Sequence, residues 1–187
     1  MSNKYPVKKS SLLIAEPFLG DPNFERSVVL ICEHNESGSF GFVINQEAEL
    51  SLTEVLEEED LHQNLPVFCG GPVEQNTLHF IHRRPHLIHN GIEIQPGLFW
   101  GGDFEEVSSL INLGKVTKSD IRFFVGYSGW GNGQLDQELE QKVWITYQVA
   151  TDFIFETDPS QFWRQVLKKM GGRHKALANY PVDPRLN

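Results

Sequence analysis

Hydrophobic positions in the first half of the chain come in short runs rich in Val, Ile, Leu and Phe, at residues 11–15, 27–33, 40–45 and 65–69, separated by Gly, Pro and Asn. Runs of that length, bounded by turn residues, predict β-strands. Residues 33–39 form a polar turn, too short for a parallel crossover, so the strands on either side are expected to make an antiparallel hairpin. Over residues 52–61 the period changes: Leu52, Val55 and Leu56 share a helical face, trailed by Glu57, Glu58, Glu59 and Asp60. Acids at a helix C-terminus oppose its dipole, so this helix is expected to be short and frayed.

The second half carries stronger punctuation. Asp103 and Glu106 make a start resembling a capping box, Val107, Leu110 and Ile111 supply an apolar stripe, and Gly114-Lys115 closes the helix. Strands are predicted at 121–125 and 143–149, with a further short one at 153–155. Asp158 as N-cap and Pro159 at the first helical position then open a helix carrying Phe162, Trp163, Val166, Leu167 and Met170 up to Gly171-Gly172. Residues 173–187 read as a docked or mobile tail. Strands outnumber helices and cluster instead of alternating with them, which predicts an α+β fold, and with no internal repeat and no linker the 187 residues form one domain.

Charge sharpens the functional question. The chain carries 16 Lys and Arg against 25 Asp and Glu, a formal net charge of −9, which disfavours nucleic acid as a partner. The acid is segregated: residues 27–82 hold ten acidic residues and no Lys or Arg. From residue 163 onward, Arg164, Lys168, Lys169, Arg173, Lys175 and Arg185 face only Asp183, so one basic segment sits on an acidic body. No apolar run approaches the roughly 20 residues of a membrane span, and the N-terminus offers no signal-peptide core. Cys32 and Cys69 lack partner spacing and are expected to be buried, reduced core residues of a cytoplasmic protein.

Candidate chemistry concentrates at residues 126–135, Gly-Tyr-Ser-Gly-Trp-Gly-Asn-Gly-Gln-Leu, read as a glycine-rich loop after the 121–125 strand. Glycines let backbone amides converge on an anion. The nucleophile-elbow pattern G-x-S-x-G fails because Trp130 occupies the second glycine position. The dinucleotide fingerprint fails as well, since Gly129, Gly131 and Gly133 give G-x-G-x-G. The plainer alternative is a tight turn whose Tyr127 and Trp130 plug the core. His79, His82, His86 and His89 fall within eleven residues, but in β structure His79 and His82 point to opposite faces, so no metal site is assigned. Arg83 and Arg84 either dock an anion or pair with nearby carboxylates. Gly70-Gly71-Pro72-Val73 is a turn that would line a cleft if it packed near the glycine block.

Taken together, Leu13–Pro17 with Asp21-Pro22, Phe24–Val29, Glu33-His34, Gly41–Asn45, Gly70–Val73, Leu78-His79 and Gly126–Leu135 with Glu138 resemble the YqgE/AlgH family of small bacterial proteins over nearly the whole chain. The resemblance implies an α+β domain with a mostly antiparallel, bifurcated sheet curled into a pseudo-barrel. It implies no established activity; some members bear a transcriptional-regulator label linked to alginate production without a recognisable DNA-binding motif. The family pattern accepts alanine at Ser128, which weakens a serine nucleophile, and residues 179–187 depart from the glycine-containing ending of many relatives. The expected role is non-enzymatic regulation through an unidentified small-molecule or protein partner, without cofactor or metal. The candidate surface comprises Arg26, Gly70, Gly71, Tyr127, Gly129, Trp130, Gly131 and Gln134. The alternatives are an enzyme of small phosphorylated or acyl substrates using Glu138 or His79, and direct DNA binding through the helix over 158–172.

Overall fold

The computed structural model describes residues 6–56 and 61–181. Within them run ten strands, β1 (Leu12–Ala15), β2 (Val28–Asn35), β3 (Gly38–Val43), β4 (Glu47–Ser51), β5 (Pro66–Cys69), β6 (Val73–His82), β7 (Ile92–Gln95), β8 (Leu98–Trp100), β9 (Ile121–Gly131) and β10 (Trp144–Tyr147). Six helices accompany them: α1 (Leu52–Val55), α2 (Phe104–Asn112), α3 (Gln134–Glu140), α4 (Thr151–Glu156), α5 (Pro159–Met170) and α6 (Gly172–Leu177). The α+β class holds.

The strands make one sheet in the order β10-β1-β2-β3-β9-β6-β8-β7, with β5 carrying β4 as a branch on β9. Every pairing is antiparallel except β5 with β9. The expected hairpin is β2–β3, with Asn35 opposite Gly38. The sheet is not closed into a barrel, because the end strands β10 and β7 each pair with a single neighbour.

The branch is the feature that positions everything else. Phe123, Phe124 and Val125 of β9 pair with Val67, Phe68 and Cys69 of β5, and Ser128 to Gly131 pair with Gly41 to Gly38 of β3. Between the two pairings, Gly126 takes φ +68°, a conformation glycine reaches without strain, and β6 bulges opposite it between Val73 and Leu78. Gly70 fills the fork: its N–H donates to the Val125 carbonyl, and its own carbonyl accepts from the Val43 N–H and the Ser128 hydroxyl.

Three apolar clusters cover the sheet. On β1 all four residues are buried, Leu12 and Ile14 facing one cluster and Leu13 and Ala15 another, so the strand reads as a continuous apolar run. The first cluster is capped by α4 and α5 through Ile154, Phe155, Phe162 and Trp163. The opposite one holds Val29, Ile31, Trp130, Leu135 and Trp144. A third lies where α1 and α2 bring Leu52, Val107 and Ile111 onto Val67, Phe80 and Phe123.

Local signals explain the helices that sequence located. Asp103 accepts the N–H groups of Glu105 and Glu106, Gly114 has φ +66° after α2, and Asp158 caps α5 ahead of Pro159. Four expectations change. Residues 126–131 are strand, not loop, because β3 supplies the ladder partners of 128–131 and β6 that of Tyr127. Residues 153–155 lie in helix α4, whose Ile154 and Phe155 pack beneath α5. Cys32 is buried and its thiol pushed far up by desolvation, whereas Cys69, last residue of β5, is exposed. Of the expected bifurcated pseudo-barrel, the branching is present, and the sheet is not closed into a barrel. The acidic end of the 52–61 helix includes residues 57–60, outside the described residues; within them Ser51 and Glu54 form a capping box on α1. Of the expected tail, residues up to 181 form α6 and a short segment ending near Tyr180, and 182–187 lie outside.

Candidate functional site

Seven of the eight candidate residues divide among three places, and the eighth, exposed Gly129, pairs with Phe40 of β3 on the strand between Tyr127 and Trp130. Arg26, at φ +51°, lies under the C-terminal segment: its guanidinium donates to the Tyr180 carbonyl at 2.7 Å and stacks over the Trp163 ring at 4.8 Å. Burial and neighbouring Arg164 lower its pKa. That is the α5-covered side of the sheet, opposite the cluster that takes Trp130.

Gly70, Gly71 and Tyr127 meet at the fork. A Cβ on Gly70 would come within 2.3 Å of the Gly126 carbonyl, and one on Gly71 within 2.3 Å of Tyr127 backbone and the Ser128 hydroxyl. Both glycines are therefore required by packing. Tyr127 is half-buried in an aromatic group, with ring centroids 6.1 Å from Phe40 and 6.0 Å from His79. Ser128 is buried, 1 % exposed, and its hydroxyl is spent on the Gly70 carbonyl at 3.0 Å.

Trp130, Gly131 and Gln134 join through Glu138. One Glu138 oxygen accepts the indole N–H of Trp130 at 2.8 Å and of Trp144 at 2.7 Å; the other accepts from Gln134, whose own oxygen takes the Gly131 N–H. A carboxylate gripping two indoles is a structural clamp for α3 against the sheet. Glu138→Ala is expected to cost about 2 kcal/mol by leaving two donors unpaired, read as a lower urea midpoint. Glu138 and His79 do not converge as acid and base, since His79 stands with Tyr127 and Phe42 while Glu138 serves the Trp130 cluster. The His79 Nε2 is 3.0 Å from the Thr77 hydroxyl.

The other histidines are separated as well. His82 shares a face with Phe80, opposite His79, and His89 lies in the following loop with its Nδ1 2.7 Å from Glu106. Among the described residues no three His, Cys, Asp or Glu are placed to hold a metal. Arg83 pairs with Asp152 at 3.0 Å and Arg84 with Asp120 at 2.7 Å. Burial opposes ionisation of Asp120, but hydrogen bonds from Thr117 and Arg84 prevail and hold its pKa below the usual carboxylate range.

His82 is fully buried. Its Nδ1 accepts the Arg84 N–H at 3.2 Å, and its Nε2 has no well-formed hydrogen bond. Desolvation pushes its pKa down against a smaller opposing pull from Gly101, and burial also lowers that of His79. A depressed imidazole pKa means that the unfolded chain takes up the proton first. The stability these groups contribute is therefore complete above the ordinary value of 6.5 and is lost as pH falls below it. The urea midpoint is expected to drop between pH 7.5 and 5.5, with a shallower slope in His82→Gln.

One opening adjoins the glycine block. A cleft of about 610 Å³ runs between the β2–β3 turn and the β9–α3 turn, which the Gly38–Gly131 pairing brings side by side. His34, Asn35 and Glu36 line one wall, Asn132 and Asp136 the other, and buried Leu135 contributes to the lining between them. Of the eight candidates only Gly131 lines it. Locally the polar run 33–39 reads only as a turn, and nothing near it in the chain links it to residues 132–136. On α5, Lys168 and Lys169 occupy the last turn, where they complement the dipole, and Lys169 lies 5.3 Å from the Phe153 ring.

No helix among the described residues is long and apolar enough to cross a membrane. The family model described as AlgH-like matches residues 12–175. A UPF0301 protein of Cytophaga hutchinsonii is 48 % identical over 183 residues, covering 97 % of this chain and 100 % of the relative. One from Chlorobaculum tepidum is 40 % identical over 188 residues, 100 % of each chain. Among solved structures, the AlgH protein of Pseudomonas aeruginosa matches with a TM-score of 0.73 at 28 % identity, over 97 % of this chain and 98 % of that one. A Corynebacterium diphtheriae protein matches with a TM-score of 0.69 at 22 % identity, over 96 % and 95 %, a likeness of fold alone. A family match of this extent, with relatives alike from end to end, makes the chain a member of the AlgH-like family.

Proposed function

We propose that the protein works by binding and not by catalysis, as a cytoplasmic regulatory protein that holds a small ligand or a segment of a protein partner beside the end of β9. The observation that carries this reading is that the reactive groups of the glycine–aromatic block are committed elsewhere. The Ser128 hydroxyl is bonded to the Gly70 carbonyl, Glu138 to two indoles and Gln134, and His79 to Thr77. An acyl- or phosphoryl-transfer site needs a nucleophile and a base within reach of each other and of the substrate. Beside this block lies an open cleft of a size suited to small ligands.

The test is a thermal-shift screen of the whole chain against anionic, neutral and cationic metabolites, run beside turnover assays on nitrophenyl acetate and nitrophenyl phosphate. The expected result is a ligand shift that Gly131→Leu abolishes, with no turnover. Turnover lost in Ser128→Ala would overturn the reading in favour of an enzyme. Salt-sensitive retardation of DNA, lost in Lys168→Glu/Lys169→Glu, would overturn it in favour of a nucleic-acid binder.

A further inference from the structure

We infer that the cleft between the β2–β3 and β9–α3 turns takes a cationic nitrogen group, an ammonium or guanidinium, carried by a free amine or by a basic side chain of a partner. The inference deepens the binding reading above and rests on it.

The cleft is kept open by what its walls lack. Gly38 is required by packing, because its Cβ would lie 2.3 Å from the Trp130 carbonyl. Gly131 has no such reason: its Cβ would meet nothing nearer than the Gln134 side-chain oxygen at 4.0 Å, and its backbone does not take a positive φ. A Cβ on Gly133 would also meet nothing within 4 Å, but there the φ of +69° accounts for the glycine. Glycine in an extended strand is unfavourable unless something approaches the backbone closely. At Gly131 the backbone is approached only by its ladder partner Gly38 and the Gln134 side chain, while the side where a Cβ would stand is open and belongs to the cleft.

The lining then selects the occupant. Its charged side chains are the carboxylates of Glu36 and Asp136, and no Lys or Arg lines it. Asn35 is already used, its oxygen accepting from the Ser37 N–H and its amide donating to Glu33. His34 engages Ser39 through Nδ1 at 2.7 Å. The β2–β3 hairpin that makes this wall carries Glu33 and Glu36 and no Lys or Arg, so its local field repels anions and draws cations. A coordinated metal ion fits poorly, since no three His, Cys, Asp or Glu among the described residues converge. An organic cation needs only carboxylate acceptors, which Glu36 and Asp136 supply.

The experiment titrates the ¹⁵N-labelled full chain with spermidine, with the peptide acetyl-Arg-Lys-Arg-amide and with acetyl-Glu-Glu-Glu-amide. Saturable shifts confined to residues 34–39 and 131–136, from spermidine or the basic peptide but not the acidic one, are expected. Preference between the two cationic probes tells a free amine from a partner's basic segment. Affinity should fall tenfold or more in Gly131→Leu, which fills the space, and in the double variant Glu36→Gln/Asp136→Asn, which keeps it. Shifts spread over the acidic surface and indifferent to both variants, or equal binding of the acidic peptide, would overturn the inference. So would no shift at millimolar probe. If the metabolite screen nevertheless gives a neutral or anionic ligand lost in Gly131→Leu, the binding reading stands and only the cationic assignment fails.

Discussion

Gly71→Ala is expected to destabilise the fold by about 3 kcal/mol or more, and Gly131→Ala, five residues beyond the same kink, to change it by less than about 1 kcal/mol. Gly71 packs against Tyr127 and Gly131 follows Trp130, and composition alone ranks the two glycines together. The difference is steric. The new methyl at Gly71 would sit 2.3 Å from Tyr127 backbone and from the Ser128 hydroxyl, in a backbone at φ +154°. Neither neighbour can give way: Tyr127 is held in the ladder opposite Val73, and the Ser128 hydroxyl is bonded to Gly70. Reciprocally, a Cβ on Gly126 would meet the Gly71 carbonyl at 2.7 Å, so the two segments interlock through missing side chains. At Gly131 the methyl enters open cleft, and relief of the unfolded chain's glycine entropy offsets any lost contact. Urea denaturation of the two variants beside the parent protein separates the cases. Equal midpoints for both would mean that the fork relaxes and that packing does not require Gly71.

Much of this fold announces itself locally, and the failures have a common cause. Asp103, Gly114, Asp158 and Pro159 mark α2 and α5 because caps act within one turn, and the polar run 33–39 marks its hairpin for the same reason. Residues 126–131 mislead because their glycines lack strand propensity; they become strand through ladder partners on β6 and on β3, the latter about ninety residues earlier in the chain, and tertiary pairing overrides propensity. The run 153–155 is too short for its period to be read, so helix and strand fit it equally. The β7–β8 hairpin was legible and overlooked, since Pro96-Gly97 between two short apolar runs is a turn signal and Gly97 takes φ +77°. The cleft was not legible at all. Its walls are two turns of unremarkable polarity, and only the Gly38–Gly131 register makes them neighbours.

Arg122→Met is expected to cost about 3 to 5 kcal/mol, although among the described residues no carboxylate lies within salt-bridge distance of the arginine. The side chain is 5 % exposed near the start of β9 and carries its charge into the core. Its guanidinium donates to the Ile44 carbonyl at 2.8 Å and to the Ile154 carbonyl at 3.1 Å, and lies over the Phe68 and Phe155 rings at 4.8 and 5.9 Å. Burial draws its pKa down to about 10, with Glu47 opposing, so it remains charged at neutral pH. The two carbonyls decide the sign. A buried ion exchanged for an apolar side chain of similar size is often neutral when its partners are removed with it, but here the partners are backbone and stay. Ile44 follows β3 and Ile154 belongs to α4, so the arginine ties the sheet's centre to the helical layer. Arg122→Lys should recover part of the loss, because an ammonium can reach one carbonyl but cannot fork to both and stack. Guanidinium or urea midpoints at pH 7 order the three proteins as parent, Arg122→Lys and Arg122→Met. A methionine variant as stable as the parent would show that water or a shifted α4 satisfies the carbonyls, and that the strut is dispensable.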